Sequence, residues 1–113
     1  MLVDRKEFLE EDKSVGYIEC IYESDNILKT TYFPKNNRLY IAFSRGHMYS
    51  YGNITPDIYD EFEEADSQGK YFHKHLNDKN KYPTRREYTL YPSEVAELKE
   101  IVENNKKEGE EDE

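Results

Sequence analysis

Apolar and polar positions alternate through the first half of the chain and then change to a helical period. "VGYIECIY" (15–22) is rich in β-branched and aromatic residues and predicts a strand. The polar turn "ESDN" leads to a hairpin partner, "ILKTTYF" (27–33). After "PKNN", the segment "RLYIAFS" (38–44) puts Leu39, Ile41 and Phe43 on one face, and "HMYSY" (47–51) follows as a fourth strand. Strands joined by such short connections predict an antiparallel meander. Upstream, residues 4–11 carry Phe8 and Leu9 among charges and read as a short amphipathic helix.

From residue 55 the spacing is helical. Thr55 offers an N-cap oxygen, and Pro56 stands at the first helical position, where no amide bond is lost. Ile58, Phe62 and Ala65 form one stripe, which predicts packing of that face on the sheet. Ser67 can cap a second helix over about 68–77, with Phe72 and Leu76 one turn apart. "REYTLY" (86–91) predicts a possible fifth strand, and Pro92 opens a last helix marked by Val95, Leu98 and Val102. The predicted fold class is α+β: an antiparallel meander of four to five strands with two to three helices on one face. The predicted division is one domain over 1–102 and a disordered acidic tail over 103–113.

The position of Tyr49 and Tyr51 depends on the turn before them, because a one-residue slip exchanges the faces of a strand. A two-residue turn at Arg45-Gly46 sets Tyr49 opposite Ala42, away from Leu39, Ile41 and Phe43. A three-residue turn, with Gly46 left-handed in a bulge, sets Tyr49 opposite Ile41 and Tyr51 opposite Leu39, on the core side. A glycine third in the loop favours the bulged turn. Tyr-x-Tyr is therefore expected to be structural.

These residues carry a resemblance. Ile27, Tyr32, Leu39-x-Ile41-x-Phe43, Gly46, Tyr49-x-Tyr51, Pro56, Tyr59 and Ala65-x-Ser67-x-Gly69-x-Tyr71-Phe72 together resemble the KTSC domain. That family is named after a C-terminal segment of some lysyl-tRNA synthetases, and it also occurs as stand-alone bacterial and phage proteins. The resemblance spans residues 24–82. The family often has an asparagine after its Tyr-Phe pair, where this chain has His73. The resemblance implies no established activity, and the synthetase context implies RNA binding by association.

Composition narrows the function. Eleven Tyr and five Phe supply much of the burial in a chain that is 36% charged, so the core is expected to reach polar partners for its hydroxyls. The only cysteine, Cys20, cannot form an internal disulfide, and "MLVDRKEFLEEDK" is charged throughout and unlike a signal peptide. Both features imply a cytoplasmic protein with no membrane association. The net charge of −9 disfavours general nucleic-acid binding, but the charge is unevenly spread. Residues 57–66 hold six acids and no base, whereas 70–86 hold six Lys or Arg, two His and one acid, Asp78.

That basic segment, interleaved with aromatic residues, is the predicted binding site. Lys70, Lys74, Lys81, Arg85 and Arg86 are expected to hold phosphates, with Tyr71 or Tyr82 stacking on bases and His73 alongside. Lys79 extends the strip. The structural motif residues are Gly46, Tyr49, Tyr51, Pro56, Gly69 and Phe72. No metal or cofactor is implied, because His73 and His75 diverge on a helix and no ligand spacing is present. Cys20 lacks an activating neighbour in sequence. The function expected is a non-enzymatic module for single-stranded RNA. The alternative is an adaptor or inhibitor whose acidic helix and tail capture a basic host protein.

Overall fold

The computed structural model describes residues 1–111. Six strands form one antiparallel sheet in sequence order: β1 (Leu2–Leu9), β2 (Val15–Tyr22), β3 (Ile27–Phe33), β4 (Arg38–Phe43), β5 (His47–Tyr51) and β6 (Thr84–Thr89). Between β5 and β6 lie α1 (Pro56–Glu64), the single turn α2 (Gln68–Tyr71) and a π-helical turn (Phe72–Leu76); α3 (Pro92–Glu111) closes the chain.

The class is α+β, as the sequence predicts, with more strands. Residues 2–9 form an edge strand, not a helix. Phe8 is half-buried on the face shared with Tyr17, and its ring stacks on Tyr17 at 4.4 Å. Most other β1 side chains are exposed because an edge strand buries little, so apolar alternation is weak there.

The turn before β5 fixes the register. Gly46 has φ +94°, its amide donates to Phe43 O at 2.8 Å, and Leu39 pairs with Tyr51 and Ile41 with Tyr49. The bulged-turn expectation holds. The positive φ favours glycine, and a Cβ there would also crowd Val95 Cγ2 at 3.1 Å and Leu90 O at 3.3 Å.

The main core lies between one sheet face and α1, α2 and the π-helical turn. Ile18, Cys20, Tyr32, Leu39, Ile41 and Tyr51 meet Tyr59, Phe62, Phe72 and Leu76 there. The expectation that all helices share one face is corrected by α3. Val95 and Leu98 pack on the opposite face, against Ala42, Met48, Leu90 and Tyr40. Helical periodicity tells which stripe of α3 is apolar, but not which side of the sheet receives it.

Helix α3 also runs on to Glu111, through most of the segment read as a disordered tail. Lys106 makes an i,i+3 pair with Glu103 and reaches Glu23 at 3.4 Å, which ties this turn back to the end of β2. The last two tail positions, 112 and 113, lie outside the described residues. At α1, Thr55 takes the N-cap position with extended backbone, but its side chain makes no cap hydrogen bond. Ser67 Oγ, in contrast, accepts from Lys70 N at 3.2 Å, as its position predicts.

Candidate nucleotide-binding cleft

Where β4, β5 and β6 run past the end of the π-helical turn, the sheet is only partly covered. A cleft of about 400 Å³ opens there, walled by Phe43, Tyr49, Tyr51 and Phe72. Strand register sets this wall, since Tyr49 lies between Ile41 and Arg86, and Tyr51 lies between Leu39 and Thr84. The π-helical turn supplies the other side. Asn77 N donates to Phe72 O at 3.0 Å, the wide spacing of this turn type, and Phe72 and Leu76 point inward while His73 stays exposed on the rim.

The rings pack edge to face. Phe43 meets Tyr49 at 70° and Phe72 at 71°, and Tyr51 meets Phe72 at 70°. Tyr51 is buried, and that burial raises its phenol well above the usual tyrosine range. Tyr49 is only half-buried and stacks face to face on no neighbouring ring among the described residues.

Polar groups surround this wall. His47, His73, Asn77, Lys79 and Thr84 line the cleft, and among the described residues no carboxylate does. The nearest acid in sequence, Asp78, is occupied with its own turn, accepting from the amides of Asn80 (3.0 Å) and Lys81 (3.2 Å). An aromatic wall with a lysine and hydrogen-bonding groups at its rim suits a base with an attached phosphate.

The predicted basic strip is not continuous. Lys70, Lys74, Tyr71 and His75 line a separate shelf of about 360 Å³ that also includes Asp66. Tyr71 is not a free platform: its hydroxyl donates to Glu61 at 2.8 Å, and its ring lies 4.5 Å from His75. Burial and the Glu61 charge push its phenol up to about 12. Tyr82 is 4% exposed and belongs to the core, with Lys81 lying over its ring at 5.5 Å, so it offers no face to a base. Strand alternation divides Arg85 from Arg86. Arg86 aligns with Tyr49 on the cleft side, whereas Arg85 turns to the α3 side beside Ser50 and Glu87. The reading of Tyr49 as structural is incomplete, since the same ring both packs on Phe43 and walls the cleft.

Phe43, His47, Asn77 and Thr84 were not legible as site residues. They come together only through register and the π-helical turn, and no local motif joins them. Elsewhere, Cys20 is buried with its Sγ 3.4 Å from Tyr59 Oη and 3.5 Å from Glu63, and burial pushes its thiol up to about 11. It is therefore protonated at neutral pH. His73 and His75 serve different surfaces, and no cluster of three metal-ligating side chains exists among the described residues. The acidic face of α1 is partly committed: Glu61 accepts from Tyr71, and Glu63 accepts from Tyr59 at 3.0 Å and Arg5 at 2.8 Å. No helix among the described residues is long and apolar enough to cross a membrane.

Comparison with known proteins agrees with this architecture. The KTSC domain family model matches residues 23–82, which comprise β3 to β5, α1, α2 and the π-helical turn. The crystal structure of a KTSC domain protein from Yersinia pestis superposes with a TM-score of 0.58 at 26% identity, covering 62% of this chain and 96% of that one. No curated protein sequence matches. The chain belongs to the KTSC domain family. Strands β1, β2 and β6 and helix α3 lie outside the matched segment.

Proposed function

We propose that this protein is a non-enzymatic binding module that takes single-stranded RNA at the aromatic cleft. One observation carries the reading. In a chain of net charge −9, the cleft combines half-buried rings with His47, His73 and Lys79 and is lined by no carboxylate among the described residues. Surplus acid disfavours an anion over much of the surface, which sets an acid-free aromatic lining apart. Stacking supplies sequence-tolerant affinity, and Lys79 at the rim supplies the salt-dependent part. The basic-protein alternative has less support, since Glu61 and Glu63 already serve internal partners.

A titration with a short single-stranded RNA at low and moderate salt, followed by backbone amide shifts, tests the reading. Shifts at 43–51, 72–79 and 84–86 that fade with salt are expected. Shifts confined to α1, or none at low salt, would refute it.

A further inference from the structure

We infer that the cleft is a one-nucleotide site, holding a single unstacked base on Tyr49 with its phosphate at the rim, so that a mononucleotide alone is a sufficient ligand. This rests on the nucleic-acid reading above and narrows it to a unit of recognition.

Size is the first argument. About 400 Å³ lies near the lower end of ligand pockets, roughly 300–1,000 Å³, which suits one nucleotide and not a stacked run. Ring geometry is the second. Tyr51 and Phe72 form the inner end, 95% and 94% buried, and the two half-buried rings, Phe43 and Tyr49, meet edge to face at 70°, so a base stacked flat on Tyr49 does not continue onto a parallel neighbour. A strand stacked on successive rings would need an open aromatic row, which this site lacks.

The distribution of polar groups is the third. Asn77, which carries both donors and an acceptor, and Thr84 lie in the lining, suited to a base edge. Lys79 and His47 are exposed at the mouth, where a phosphate can remain partly hydrated. The same chemistry is offered by a free mononucleotide and by one unpaired nucleotide within a strand.

The test compares uridine and adenosine 5′-monophosphates, uridine, inorganic phosphate and an eight-residue oligouridylate, all by amide shifts. The expected result is that either mononucleotide shifts Phe43, His47, Tyr49, Asn77 and Lys79 more strongly than nucleoside or phosphate alone, and that the octamer shifts the same residues. The exposed variant Lys79→Glu should weaken mononucleotide binding by about tenfold, and Tyr49→Leu should do the same while keeping a folded spectrum. An octamer that binds the cleft while mononucleotides do not would overturn the inference and leave the RNA reading standing. Mononucleotide binding without octamer binding would support the one-nucleotide site and remove RNA as the partner. Shifts reproduced in full by inorganic phosphate would overturn the inference as well.

Discussion

Tyr32 and Tyr49 project from the same face of the same sheet, but one is sealed and the other is open. Tyr32 is 1% exposed, lies parallel to Tyr59 at 4.1 Å and donates its hydroxyl to Ile54 O at 2.7 Å. Tyr49 is half-buried, and its one ring-to-ring contact among the described residues is the edge-to-face one with Phe43. Residue type and strand period are alike at both places. The difference lies in what covers them, because α1 lies over the Tyr32 end, whereas the π-helical turn stops at Leu76 before it reaches Tyr49. An aromatic side chain is core where a helix closes over it, and a candidate contact surface where the cover ends.

The largest expected effect breaks the sealed end. Phe62 is fully buried between Tyr22, Tyr59 and Tyr71, so Phe62→Ala should cost about 3–5 kcal/mol, measured by denaturant unfolding. If the loss were no greater than at Tyr49, the contrast between the two ends would fail. At the open end, Tyr49→Ala should weaken RNA binding by about 1–3 kcal/mol while unfolding the protein less readily than Phe62→Ala does.

Alkaline titration sharpens the comparison from another side. Burial and the nearby Asp60 charge push the Tyr32 phenol up to about 12, whereas an unfolded tyrosine ionises near about 10. The fold therefore favours the neutral phenol. Its contribution is complete below pH ~10 and is lost as pH rises through about 12, so the melting temperature should fall across that window. A flat profile there would contradict the sealed environment. The smallest effect lies far from both tyrosines: Lys106→Ala removes exposed ion pairs to Glu23 and Glu103 and should change stability by no more than about 0.5 kcal/mol.

Much of this architecture was legible in the sequence. The bulged turn at Gly46 gave the β4–β5 register, Ser67 marked the start of α2, and the spacing of Phe72 and Leu76 identified an inward face. β1 was hidden because an edge strand carries charge on both faces, and "DRKEFLEE" has no clear period of two. The side taken by α3 was hidden because Val95 and Leu98 would fit either face. The site was legible only in part. Its one lysine, Lys79, falls within the basic segment, but alternation separated Arg85 from Arg86 and burial withdrew Tyr82. Phe43 and Lys79 meet through tertiary structure alone.

The strand order has a kinetic consequence. Each of the first five strands pairs with its sequence neighbour across a short turn, so their ladders can zip with little loop-closure cost. β6 alone must return across residues 52–83 before it can pair with β5 and complete the wall at Thr84. Release of this longest closure is expected to open the cleft while β3 and β4 stay paired. We therefore expect the backbone amides of β6 to exchange with solvent sooner than those of the central strands, and a bound nucleotide to slow them selectively.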